Sequence, residues 1–369
     1  MRKSIICILL LFSMLASLVS CAKAKYEPVE STEEEARVIM TLEMDSKKYE
    51  VKYELYRALF LTYRSEIDGG DSSVWTGENK NEYIEKINDK ILDRITDIYS
   101  VFALCDRIEF DVYSSSVDKQ VEEYIRISIE GDGGIEGVGS YEKYLEELKK
   151  MHMNYSVQDL MLRYSIATDA INKHYIGIVD SDEIDSDEVT VGALEYTIDD
   201  VREFYNSDNC VRVLRTYLQA NVSYNPEERA ERVRQAIEDA SANGEKAVAY
   251  AMIANGSLIA ESEVEKGYVI GRHNLDPAYY GEMTNIAFDL DVGEVSPVIE
   301  VQDGSERVFY VLYRAEKSDE NFEENYSHIL YVYLTDTVGG LVDNAKDELA
   351  KSANWTDVMN TLEYSQIGM

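Results

Sequence analysis

The sequence has 369 residues, in which 36 Lys and Arg stand against 71 Asp and Glu, so the formal net charge is −35. Repulsion between this charge and a polyanion excludes nucleic acid as an expected partner, since such binding depends on Lys and Arg neutralising phosphates. The length suggests two or three domains, and 45% hydrophobic residues are enough to form buried cores.

The first 21 residues have the pattern of a bacterial export signal. Arg2 and Lys3 precede an apolar run at residues 5–15, and Leu18-Val19-Ser20-Cys21 follows. The run is short for a transmembrane helix. The pattern predicts a lipoprotein signal peptide at residues 1–20 and attachment of lipid to Cys21, which would hold the protein outside the cytoplasm on the cell membrane. The alternative is an ordinary secretory peptide, which would release a soluble protein.

Two cysteines remain after the signal peptide and Cys21, namely Cys105 and Cys210. They could form a disulfide in an oxidising compartment, but both lie in apolar stretches, so two buried free thiols are an equal alternative. Residues 21–36 are small and acidic, and we interpret them as a solvated tether.

Residues 37–178 have the periodicity of helices, after a short strand at residues 38–42. Apolar side chains recur at three- and four-residue spacing on two helices. They are Tyr56, Phe60, Tyr63 and Ile67 on the first, and Ile84, Ile87, Ile91, Ile95, Ile98 and Phe102 on the second. Ser115 and Ser156, each followed by Asp three residues on, predict the starts of two more helices. We therefore expect a helical domain of about five helices.

An acidic linker is predicted at residues 179–196. It could also be interpreted as a calcium-binding loop, but Asp185 and Val191 occupy the positions where that loop needs Gly and Glu. Thr197 and Asp200 have the spacing of a helix cap and open the next domain, residues 197–317.

The region 197–317 alternates strands and helices, so the fold class is α+β. A strand begins at Cys210, Asn225-Pro226 opens a helix, and a hairpin turns at Asp303-Gly304. Residues 318–369 are again helical, and we expect this C-terminal helix to pack back on the helical domain. Four histidines lack metal-ligand spacing and no phosphate-binding motif occurs, so no cofactor or metal is expected.

The region 267–300 carries a recognisable series of motifs. A glycine-led strand at residues 267–271 is followed by Arg272-His273-Asn274-Leu275-Asp276-Pro277-Ala278-Tyr279, by Ala287-Phe288-Asp289-Leu290 and by Val292-Gly293-Glu294-Val295-Ser296. This series resembles the second half of the parvulin-type (PpiC, rotamase) peptidyl-prolyl isomerase domain. The strand Val211-Arg212-Val213-Leu214-Arg215-Thr216-Tyr217-Leu218 resembles its opening strand. With the lipobox and the helical regions, the chain resembles the SurA/PrsA group of exported foldases.

The resemblance implies a four-stranded antiparallel sheet wrapped by helices and a proline-sized apolar slot. Leu275 stands at the family's Met position, and Tyr279 and Phe288 stand at its two Phe positions. Arg215 and Tyr310 fall where the family has histidines, so no catalytic residue can be assigned and isomerase activity stays open. The alternative is that Leu275, Tyr279 and Phe288 are ordinary core residues.

The resemblance therefore predicts a membrane-anchored chaperone that binds unfolded or nascent exported polypeptides. Its parvulin-like domain would have weak or lost isomerase activity, and its helical domain would resemble the SurA N-terminal domain. One alternative is an active isomerase for secreted proteins, and another is a non-catalytic envelope lipoprotein. A homodimer is a further candidate assembly, and the PrsA likeness favours the membrane of a Gram-positive bacterium.

Overall fold

The structure is a computed structural model that describes residues 26–132, 136–177, 192–220, 225–273, 277–303 and 306–367. The predicted signal peptide, Cys21, most of the acidic linker and Leu275 lie outside these ranges. The chain divides into two compact units. The sheet unit contains Asn172–Gly340, and the helical unit contains the described residues up to Ile171 together with Leu341–Met369. The α+β class is confirmed, while the domain boundaries stay a prediction.

The helical unit begins with a small antiparallel sheet. Strand β1 (Val38–Met44) pairs with β2 (Lys47–Lys52) through a tight turn in which Asp45 and Ser46 have positive φ. On its other edge β1 pairs with β9 (Asn354–Trp355). The sequence predicted only the first of these three strands.

Five α-helices follow in this part of the chain, as the apolar spacing predicted. They are α1 (Tyr53–Asp68), α2 (Lys80–Arg107), α3 (Ser115–Glu130), α4 (Tyr141–Lys150) and α5 (Tyr155–Tyr175). The isoleucine stripe of α2 is fully buried from Ile87 to Ile98. Burial of so many apolar side chains on one face stabilises the helix far more than its intrinsic propensity does.

The helix starts at Ser115 and Ser156 differ in detail from the prediction. Ser115 already lies inside α3, and the cap of α5 is Asn154, whose side-chain oxygen accepts the Val157 N–H at 2.9 Å. The Ser156 hydroxyl donates instead to buried Glu54 at 2.7 Å. A buried carboxylate needs such donors, and this demand overrides the local capping pattern.

Residues 26–36 are mostly exposed but are held against the helical unit. The ring of Tyr26 stacks on that of Tyr141 at 5.2 Å, and the Tyr141 hydroxyl donates to the carbonyl of Glu27 at 2.6 Å. The Ser31 hydroxyl donates to Glu54. This part of the acidic segment is therefore fixed by specific contacts, which its composition did not indicate.

The sheet unit alternates helices and strands in the expected order. Its elements are α6 (Ile198–Asn206), β3 (Cys210–Arg215), β4 (Leu218–Gln219), α7 (Pro226–Ser241), α8 (Glu245–Ala254), α9 (Glu261–Lys266), β5 (Tyr268–Gly271), α10 (Pro277–Asp289), β6 (Ile299–Asp303), β7 (Glu306–Tyr310), β8 (Leu312–Ala315), α11 (Asp319–Glu324) and residues 326–340 of α12 (Tyr326–Ser352). The predicted capping box of Thr197 and Asp200 is present at the start of α6.

The strands form two three-stranded antiparallel sheets, and the four-stranded sheet that the resemblance predicts stays a prediction. Their orders are β5-β3-β8 and β4-β7-β6. The hydrogen-bond ladder is interrupted where the Val311 N–H donates to the Thr216 side-chain hydroxyl at 2.8 Å. A side chain thus replaces a main-chain acceptor at this point and interrupts the regular pairing of strands.

Arg212 joins several elements of the sheet unit although its side chain is completely buried. Its guanidinium binds both carboxylate oxygens of Glu245 at the start of α8, at 2.6 and 3.0 Å. It also donates to the carbonyls of Glu265 and Lys266 at the end of α9 and to that of Glu316 after β8. The buried charge is therefore paired and hydrogen-bonded, as its burial requires.

We expect Arg212→Met to lower the free energy of unfolding by about 3–5 kcal/mol, because the change leaves Glu245 and three carbonyls without their donor. Denaturant unfolding measures the effect. Arg232→Met is the matched control, since Arg232 and its partner Glu228 are mostly exposed and such surface pairs contribute less than about 1 kcal/mol. Equal effects of the two changes would contradict this role of Arg212.

Candidate functional site

The candidate site is the face of the sheets that α10 covers. A cluster of buried apolar side chains from strands and helix forms its floor, including Val211, Val213, Met283 and Leu312. Half-buried rings pack around this floor, namely those of Tyr217, Tyr268 and Phe288. The strand alternation that places Val211 and Val213 on this face also places Arg215 and Tyr217 there.

Arg215, predicted at the position of a family histidine, lies at the end of β3 and is half-buried. Its guanidinium carbon lies 3.6 Å from the centre of the Tyr268 ring. A cation at this distance is attracted by the negative face of the ring. Since a guanidinium stays protonated in proteins, Arg215 can donate hydrogen bonds but cannot exchange a proton as an imidazole does.

Tyr310, at the position of the second family histidine, belongs to the buried cluster and is only 3% exposed. Its ring meets that of Tyr217 edge to face, with centres 5.7 Å apart. This geometry is favourable for aromatic pairs. Tyr310 therefore fills space in the floor of the site.

Phe288, one of the three predicted slot residues, lies on α10 and packs against the same cluster as Tyr310. The guanidinium carbon of Arg272 lies 4.4 Å from the centre of its ring. The backbone of Tyr279 belongs to α10, but its side chain and all of Leu275 lie outside the described residues. The structure thus brings Phe288, Tyr310 and Arg215 to one face, while the convergence of the three slot residues stays a prediction.

A small cavity of about 80 Å³ adjoins this face between β5, α10 and α12. His328 on α12 lines it together with His273, Thr284 and Tyr331. The His328 imidazole lies 3.1 Å from the Val269 carbonyl, and burial lowers the pKa of His328. The ring is therefore neutral near pH 7. No local pattern marks this residue, because the cavity forms from distant segments.

Asp336 holds the start of the loop after β5. Its carboxylate accepts the main-chain N–H of His273 at 2.7 Å, and burial raises the pKa of Asp336. The hydroxyl of Thr284 in the cavity wall is buried and has no hydrogen-bond partner among the described residues. Polar groups from distant segments of the chain thus converge on the cavity.

Cys105 and Cys210 are both buried free thiols. Of the two alternatives, a disulfide or two unpaired thiols, the structure therefore has the second. Burial raises the pKa of Cys210 to about 11 and that of Cys105 to about 12. Thiols of this kind stay protonated at neutral pH and are poor nucleophiles. Within the described ranges no group of three or more His, Cys, Asp or Glu side chains is arranged to hold a metal ion.

Comparison with known proteins gives weak similarities. No protein family and no curated protein matches the sequence. The chain is similar to the foldase protein PrsA from Streptococcus pneumoniae, with 15% identity, a TM-score of 0.25 and coverage of 74% of this chain and 88% of that chain. PrsA from Bacillus subtilis gives 16% identity, a TM-score of 0.22 and coverage of 86% and 93%. TM-scores of this size do not establish a common fold.

Two buried threonines provide a test of the hydrogen bonds around the site. Thr216→Val leaves the Val311 N–H without its acceptor, and we expect the free energy of unfolding to fall by about 1–3 kcal/mol. Thr284→Val removes a hydroxyl that has no partner among the described residues, so stability should be unchanged or rise by about 1 kcal/mol. Denaturant unfolding of both variants measures the difference, and a larger loss for Thr284→Val would disprove it.

Proposed function

We propose that this protein is an extracytoplasmic foldase of the chaperone type. Its sheet unit is a parvulin-like domain that binds exposed polypeptide segments with weak or lost isomerase activity, and its helical unit is a chaperone domain. The observation that carries the proposal is the face formed by Arg215, Tyr310 and Phe288. Phe288, an aromatic residue of the predicted proline-binding slot, lies on this face together with Arg215 and Tyr310, which stand where the resemblance places histidines.

The pairing of strands supports the parvulin-like interpretation. Arg215 pairs with Leu312 in one sheet and Leu218 pairs with Phe309 in the other, so the register continues unchanged across the interruption at Thr216. We therefore interpret the two sheets as halves of one bent sheet. Its order would be β5, then β3 with β4, then β8 with β7, then β6, which is a four-stranded antiparallel arrangement.

The chemistry of the face favours binding over catalysis. Prolyl isomerisation has a barrier of about 18–20 kcal/mol, and an enzyme lowers it only by binding the twisted imide more tightly than the planar one. Arg215 is engaged with the Tyr268 ring, and Tyr310 is buried in the floor. Aromatic side chains and a guanidinium in a fixed position form a surface that can bind peptides of many different sequences. Such a surface provides apolar contact area and few directional hydrogen bonds.

An active isomerase remains the second candidate, because partly exposed Phe288 gives α10 an apolar surface beside the sheet. Weak catalysis by desolvation alone needs only such a surface.

A refolding assay separates these two candidates. The purified protein is added in catalytic amounts to a substrate whose refolding is limited by a prolyl step of tens of seconds. We expect the slow rate to stay within about twofold of the uncatalysed rate, because the ring contacts of Arg215 and Tyr310 would not strengthen as the imide twists. Acceleration in proportion to the added protein, abolished by Phe288→Ala, would instead establish an active isomerase.

The chaperone activity is measured with the same substrate at stoichiometric amounts. The wild-type protein should suppress aggregation, and Phe288→Ala should weaken peptide binding by about tenfold, which is about 1.4 kcal/mol. Tyr250→Ala is the control, since Tyr250 lies on α8 and is 73% exposed. Absence of both suppression and acceleration of refolding would leave only the non-catalytic envelope lipoprotein.

We further propose that lipid on Cys21 attaches the protein to the outer face of the cell membrane. The lipobox sequence supports this proposal. Among the residues that the structure describes, no helix is both long enough and apolar enough to cross a membrane.

A Cys21→Ser variant tests the attachment. Because the hydroxyl cannot be acylated by the same pathway, we expect the variant to lose incorporation of labelled fatty acid and to leave the membrane fraction. The wild-type protein, expressed in the same cells, is the control. A variant that stays in the membrane fraction without label would show that another part of the chain provides the attachment.

A further inference from the structure

The helical unit has an open groove of about 400 Å³ between residues 28–31 and helices α3 and α5. This volume is in the range of ligand-binding clefts. Val29, Val121 and Tyr155 supply apolar surface to the groove, and Val29 is 49% exposed. The groove thus combines an apolar lining with an open entrance.

Charge in the groove is strongly negative. Four carboxylates line it, those of Glu30, Asp118, Glu122 and Asp159, against one cation, Arg163. The Arg163 guanidinium is occupied by Asp118 at 2.7 Å and by Asp159 at 2.8 Å. Glu30 and Glu122 are exposed and make no hydrogen bond or ion pair within the described part of the chain. Two carboxylates therefore remain available to a ligand.

The wall formed by residues 28–31 is held at both ends. The contacts of Tyr26 with Tyr141 fix one end, and the bond from Ser31 to Glu54 fixes the other. Between them, the main-chain N–H groups of Val29 and Glu30 bond to no protein group in the described ranges. These two main-chain donors are therefore available to a ligand in the groove.

We propose that this groove binds cationic, extended stretches of unfolded polypeptides. A Lys or Arg side chain lies between Glu30 and Glu122, and an apolar neighbour packs on Val29 and Tyr155. The inference rests on the proposed chaperone function and assigns it a substrate class. It also makes the acidic segment before β1 a part of the binding site.

The test measures fluorescence anisotropy with two labelled peptides, one that alternates Lys and Leu and one with Gln in place of Lys. We expect the double variant Glu30→Lys and Glu122→Lys to weaken binding of the Lys peptide at least tenfold and that of the Gln peptide less than twofold. Glu142→Lys is the matched control, because it replaces one carboxylate by one ammonium group, as each substitution of the double variant does. Glu142 is exposed on α4 and does not line the groove, so its effect should stay below twofold.

Added salt should weaken binding of the Lys peptide to the wild-type protein, because it screens exposed charges. The milder double variant Glu30→Gln and Glu122→Gln should lower affinity in the same direction, which guards against misfolding of the charge-reversed protein. If the wild-type protein and both double variants bind the Lys peptide with equal affinity, the groove is not the binding site for cationic segments. The proposed chaperone function would be unaffected by that result. A wild-type protein that binds neither peptide and suppresses no aggregation would refute the proposed function itself.

Discussion

Burial of the Arg212 charge is the constraint on which the architecture of the sheet unit depends. Its five N–H groups need acceptors in the interior, and Glu245, the end of α9 and the carbonyl after β8 supply them. The same demand restricts Gly267, which has φ +78° and where an added Cβ would lie 2.8 Å from Nε of Arg212. The helices on one side of the sheet are thereby fixed to β3, and β3 carries Arg215 to the candidate site.

The helices could be predicted from the sequence because their signal is repeated many times along one face. The stripe from Ile87 to Ile98 on α2 is one example, and all of it is buried. Strand β2 has only one fully buried side chain, Val51, and β9 has two residues, so neither has a period to detect. The interruption of the strand pairing at Thr216 could not be predicted either. It depends on a hydrogen bond between the buried Thr216 hydroxyl and a main-chain N–H that lies 95 residues away in the sequence.

The sequence identified candidate residues for the site but not their contacts. Strand alternation places Arg215 on the same face of β3 as Val211 and Val213, and the resemblance identified Arg215, Phe288 and Tyr310. The partners of these residues come from other strands: Tyr268 stacks under Arg215, and Tyr217 meets Tyr310. The cavity beside His328 likewise joins β5, α10 and α12, and no local pattern encodes such a meeting of remote segments.

A foldase without catalytic side chains can still assist folding. Binding an unfolded chain and accelerating the rotation of its prolyl imide require different contacts from the protein. Catalysis needs contacts that strengthen in the transition state, whereas a holder benefits from contacts that are equal for all conformations. Under the proposed function, the contact of Arg215 with Tyr268 and that of Tyr310 with Tyr217 would be of the second kind, because both are made within the chain and not to the imide. With Arg215 and Tyr310 at the positions where the resemblance places histidines, this face would then act as a binding surface.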